Sequence, residues 1–123
     1  MDELPQWVKT ALSPQLIEDE TVVFQCVSSA IGSGGGTIVV TDKKLLLFRK
    51  AATSWRGATT VIPYHSIASV TVTDNAVGNV FVVRTKGPSF WTGNFLIKLR
   101  RADRENFKQA VAKISEYAAR TEM

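Results

Sequence analysis

From Val22 to Leu99 the apolar residues recur at every second position in short runs, and turn-forming residues break those runs every few positions. A period of two belongs to a strand, whose side chains point alternately to opposite faces. Val22-Val23-Phe24-Gln25-Cys26-Val27 opens a first strand that reads on to about Ile31. Thr37–Thr41, Leu45–Lys50 and Thr59–Ile62 are the next three. Ile67, Val70 and Val72 mark a fifth, Val80–Arg84 a sixth and Phe90–Leu99 a seventh. All are rich in β-branched and aromatic residues, which suit a pleated, half-buried surface. Gly32-Ser33-Gly34-Gly35-Gly36, Asp42-Lys43-Lys44, Pro63-Tyr64-His65-Ser66 and Lys86-Gly87-Pro88-Ser89 supply the breaks. Parallel strands need crossover helices, and no helical pattern stands between these runs, so the sheet reads as an antiparallel meander. Seven twisted strands tend to curl into a barrel or split into two packed halves.

The two ends of the chain change period. Leu4, Trp7, Val8, Ala11 and Leu12 recur at helical spacing, with Pro5 suited to a first turn and Ser13-Pro14 as the stop. Residues 1–19 therefore read as an N-terminal helical segment ahead of a domain over 20–123. A helix this short is not stable alone, so its apolar stripe must dock on something. At the other end Asp103 is placed to cap a helix running to Ala118. Phe107, Ala110, Val111, Ile114 and Ala118 share one face of it, which predicts docking on the mouth of the curled sheet. The expected fold is mainly β: a curled antiparallel barrel of seven strands, a capping C-terminal helix and a short N-terminal helix.

At 123 residues, with 45% hydrophobic and 21% charged, the chain has the size and composition of one folded domain with a real core. Its apolar runs reach only four residues, far short of the ~18 that span a bilayer, and the start Met1-Asp2-Glu3-Leu4-Pro5 lacks the basic-then-apolar layout of a secretory signal. A cytoplasmic location is expected, with peripheral attachment to a membrane as its variant. The lone Cys26 excludes an internal disulfide and, within an apolar strand, reads as a buried thiol. Net charge is +4, but five carboxylates face one lysine in residues 1–20, while fourteen Lys and Arg face six Asp and Glu beyond them. A basic body favours acidic partners or simple solubility.

Two segments carry a resemblance. Ile38-Val39-Val40-Thr41-Asp42-Lys43-Lys44-Leu45-Leu46-Leu47-Phe48 resembles the strand–turn–strand signature of bacterial pleckstrin homology (PH)-like domains. Val61-Ile62-Pro63-Tyr64-His65-Ser66-Ile67-Ala68-Ser69-Val70 is similar to their proline-led corner segment. The order of the two, the strand count and the closing helix fit a PH-like domain over about residues 20–118. The preceding helix fits the YokE-like type. The resemblance implies a binding scaffold without an active site. PH domains that hold inositol phosphates do so through cations in the first strand–turn–strand, yet no Lys or Arg occurs from Glu20 through Asp42. That lipid motif does not carry over, and fold does not fix function here.

The residues themselves give little chemistry. His65 is the only histidine, and no HExxH, CxxC or GxSxG occurs, so no catalytic residue, metal or cofactor is expected and the chain reads as non-enzymatic. The glycine loop leads into a strand rather than a helix N-terminus, so it reads as a hairpin and not a phosphate cradle. Lys43, Lys44, Arg49, Lys50, Trp55 and Arg56 form a candidate surface for a protein partner or an anionic lipid. Lys98, Arg100, Arg101 and Arg104 make a second basic cluster. Leu4, Trp7 and Val8 form a candidate assembly surface for a second copy, provided the helix does not fold back on its own sheet. Protein–protein contact, self-association included, is the expected function, with peripheral membrane binding as its alternative. Nucleic acid is disfavoured because the aromatics fit core positions, and no small-molecule substrate is expected.

Overall fold

The computed structural model describes residues 3–28, 36–50, 57–75, 78–86 and 94–121. Helix α1 (Gln6–Leu12) and a 3-10 turn (Ser13–Gln15) precede β1 (Val22–Val27), β2 (Gly36–Thr41), β3 (Lys44–Lys50) and β4 (Gly57–Pro63). A second 3-10 turn (Tyr64–Ser66) leads to β5 (Ile67–Asn75), β6 (Gly78–Thr85) and β7 (Asn94–Leu99). A third (Arg101–Asp103) leads to α2 (Arg104–Thr121). The expected ends of β1 near Ile31 and of β7 near Phe90, and most of the glycine loop, lie outside the described residues. None of the described helices is long and apolar enough to cross a membrane.

The strands form two antiparallel sheets, β1-β2-β3-β4 and β5-β6-β7. Cys26, Ile38, Val40, Leu45, Leu47 and Ile62 face inward from the first, and Phe81, Val83, Ile97 and Leu99 from the second. Phe107, Ala110 and Ile114 of α2 complete this core and are fully buried, with Phe107 set edge-on to Phe81 at 5.4 Å between ring centres. Helix α2 lies across β5, β1 and the Tyr64–Ser66 corner. It begins directly after Asp103, as expected, and runs three residues further than Ala118. The Asp103 carboxylate accepts from the Arg100 amide at 2.9 Å, so it fastens the turn that leads into α2.

The second face of the first sheet is also dry. Val39, Leu46 and Phe48 point away from the main core and pack under Leu4, Val8 and Leu12. Pro5 stands just before α1, and its carbonyl accepts from the amides of Val8 and Lys9 at 3.0 and 3.1 Å. The helix therefore does fold back on its own sheet. Val8 is fully buried and Leu4 nearly so, while Trp7 meets Phe48 edge-on at 6.3 Å. The Leu4–Trp7–Val8 stripe is thus occupied by the chain's own β2 and β3, because those strands carry apolar residues on both faces.

The expected closed barrel is not formed; the sheets stay separate. At one junction Pro63 and the Tyr64–Ser66 turn swing the chain from β4 into β5 without a ladder between them, since proline has no amide to donate. At another, side chains of the first sheet take the carbonyls of β7. Ser28 Oγ donates to the Lys98 carbonyl at 2.5 Å, and Arg49 Nη1 donates to the Leu96 carbonyl at 3.2 Å. Gly36 stands beside this seam and close to β3: a Cβ there would lie 2.7 Å from the Phe48 carbonyl oxygen and in ordinary contact, 3.5 Å, with Ile97 Cδ1. The nearer atom is backbone and cannot swing aside. Gly36→Ala is therefore expected to destabilise the fold by about 1–3 kcal/mol, the usual cost of overpacking. Urea denaturation checks this, and an unchanged midpoint would refute the tight approach of β3 to Gly36.

Candidate functional site

The turn between β2 and β3 is held by the side chain of Thr41. Its hydroxyl accepts from the amides of Lys43 and Lys44 at 3.1 and 3.0 Å and donates to Glu20 Oε2. One donor and two acceptor positions are all a hydroxyl has, so Thr41 is fully used. Glu20 Oε1 also accepts from Lys44 Nζ at 2.6 Å and from the Ile17 amide at 3.0 Å. Next to it, Asp42 and Thr21 exchange two bonds: Thr21 N donates to Asp42 Oδ1 at 2.9 Å, and Asp42 N donates to the Thr21 carbonyl at 3.0 Å. Tyr64, at the corner after β4, donates its hydroxyl to the Thr41 carbonyl. The two segments that carry the resemblance therefore meet in space and brace each other.

The electrostatics follow from this packing. Burial pushes the Glu20 carboxyl up, but the Lys44, Thr41 and Ile17 donors outweigh it and hold the pKa below its ordinary 4.5. Burial, with Tyr117, Asp42 and Glu20 nearby, raises the Tyr64 phenol well above its ordinary value, so it stays protonated and keeps donating.

Beside this braced turn lies an open depression of about 550 Å³ lined by Asp42, Lys43, Tyr64, Tyr117 and Arg120. Tyr64 and Tyr117 stack at 5.6 Å with an interplanar angle of 19°. The Arg120 guanidinium sits over the Tyr117 ring, 4.9 Å from its centre, and pairs with Glu116 four residues back. Lys43 is exposed and has no ion-pair partner among the described residues. Aromatic faces flanked by cations suit a carboxylate-bearing side chain or peptide.

Of the six residues expected to form one cationic surface, two of the described ones are engaged within the molecule. Lys44 is only 16% exposed and belongs to Glu20, and Arg49 reaches across to β7. Trp55 and Arg56 lie outside the described residues, as does the side chain of Lys50. Among the described ones, Lys43 alone lines the depression. Neither Tyr117 nor Arg120 is named from the sequence, since the last helix is placed by an apolar face that includes neither and is ended at Ala118, and Asp42 and Tyr64 are taken as turn formers. The aromatic–cation spacing Tyr117-x-x-Arg120, one helical turn apart, is the signal that was available.

A family model described as bacterial PH domain matches residues 16–116 of this chain. No curated protein sequence matches it. Among solved structures, a protein with a pleckstrin-homology domain from Shewanella loihica is similar at TM-score 0.63 and 16% identity, covering 93% of this chain and 99% of that one. A pleckstrin homology domain from Shewanella amazonensis also gives 0.63, at 20% identity, covering 91% of this chain and 86% of that one. The N-terminal PH domain of Vps36 gives 0.55 at 17% identity, covering 82% and 83%. At these identities the likeness is one of fold.

Replacing Glu20 by Gln leaves the Lys44 ammonium without its anion and is expected to cost about 1–3 kcal/mol at pH 7. The folded state lowers the Glu20 pKa, so its contribution is complete above about pH 4.5 and is lost as the pH falls through the lowered value. Urea midpoints of the wild type and Glu20→Gln at pH 7 and pH 3 should thus converge at the lower pH. An equal gap at both would show that the charge of Glu20 is not what matters.

Proposed function

This chain belongs to the bacterial PH domain family, and from that premise we propose that it is a non-enzymatic module working through protein–protein contacts, with a second copy of itself as partner. Within the family the short helix before β1 fits the YokE-like type. The observation that carries the reading is the depression beside the β2–β3 turn. It offers the half-buried Tyr117, stacked on the buried Tyr64, and two exposed cations, Lys43 and Arg120, and Tyr and Arg are the residue types that most often dominate binding energy at protein interfaces. Membrane attachment draws less support, because two cations of the surface it would use, Lys44 and Arg49, are engaged within the molecule.

Light scattering during gel filtration over rising concentration is expected to give a mass above the 13.5 kDa of one chain. A mass fixed at one chain throughout would remove self-association. Co-sedimentation with vesicles of phosphatidylcholine, with and without phosphatidylserine, is expected to pellet none of the protein. Salt-sensitive pelleting with the anionic vesicles alone would overturn the protein-contact reading in favour of the membrane.

A further inference from the structure

The turn between the N-terminal segment and β1 is an unusual surface for a soluble domain. Ile17 is 59% exposed, the most exposed large apolar residue among those described, and Glu18 and Asp19 beside it are exposed carboxylates. The turn is rigid. The Ile17 amide is held by the buried Glu20 carboxylate, the Glu20 amide donates to the Ile17 carbonyl at 3.1 Å, and Asp19 sits at φ 72°, which few residues but glycine, Asn and Asp adopt. A single exposed isoleucine needs no explanation. One fixed in place next to two exposed acids, beside a surface of the opposite character, does.

That opposite surface is the depression. The half-buried Tyr117, stacked on the buried Tyr64, gives it one aromatic surface, and Lys43 and Arg120 place positive charge at its rim. The Arg120–Glu116 pair is exposed on both sides, so it is weak and leaves the guanidinium free to turn to another carboxylate. Asp42, the one acid of the lining, already accepts from the Thr21 amide. The exposure of Ile17 means that the turn does not fill the depression of its own chain. Turn and depression nevertheless lie side by side, because Thr21 follows the turn and bonds twice to Asp42 in the lining.

We infer that the Ile17–Asp19 turn of one copy seats in the depression beside Tyr117 of a second copy, with Ile17 against Tyr117 and Glu18 or Asp19 against Lys43 and Arg120. The inference rests on the self-association proposed above and names its surface. Because knob and socket are adjacent, a two-fold arrangement engages both pairs at once, as an isologous interface requires. The rigid turn keeps the ordering cost of association low.

Sedimentation equilibrium of the wild type and of Ile17→Ser, Glu18→Lys and Arg120→Glu tests it, with circular dichroism to check folding. The Ile17 and Glu18 side chains make no bond within the buried Glu20 network, and Arg120 lies on the surface of the last turn of α2. Each variant is expected to weaken self-association about tenfold. An equimolar mixture of Glu18→Lys and Arg120→Glu should recover it, since every knob then meets a socket of opposite charge. Wild-type association that none of the variants alters, or a mixture no stronger than its components, would overturn this docking and leave self-association standing elsewhere. A strictly monomeric wild type would overturn both.

Discussion

Strands β2 and β3 have no wet face, and the rest of the molecule is arranged around that fact. Ile38, Val40, Leu45 and Leu47 require a core on one side, and the second sheet with α2 supplies it. Val39, Leu46 and Phe48 require cover on the other, and α1 supplies that. An antiparallel sheet can usually leave one face to water. Here it cannot, so a helix too short to be stable alone becomes part of the fold by lying on the hairpin that needs it.

The turn that ends this doubly buried hairpin satisfies its backbone with side chains of the molecule itself. Thr41 closes the turn, Glu20 and Lys44 neutralise each other beside it, and Tyr64 ties it to the corner between the sheets. This explains why a lysine-bearing turn does not amount to a cationic patch. Lys44 belongs to the support and Lys43 to the surface. The same bracing gives the neighbouring depression a fixed floor, since Tyr64 lines it while bonded underneath.

Much of this was legible in the residues. Seven short runs of strand-forming residues, the proline-led corner and the amphipathic last segment each predicted the element that forms. The unbroken run Leu45-Leu46-Leu47-Phe48 was a sign of burial on two faces, because a half-wet strand alternates. It also implied that the N-terminal stripe had a place to dock within the chain. Barrel closure was not legible. It turned on whether β7 would offer its carbonyls to a strand or to side chains, and Ser28 and Arg49 reach them from 70 and 47 positions away.

The sequence by itself determined the elements, their order and the faces that had to be dry. Periodicity, turn chemistry and proline act over a few neighbouring residues and need no partner to be read. Only the tertiary structure decided which charges are engaged and which are presented. Glu20 finds Lys44, Tyr64 stacks on Tyr117 and Arg49 meets Leu96 only after register and sheet packing have brought distant segments within a few ångströms. Hydrogen bonds and ion pairs fall off steeply with distance and angle, so no spacing along the chain announces them.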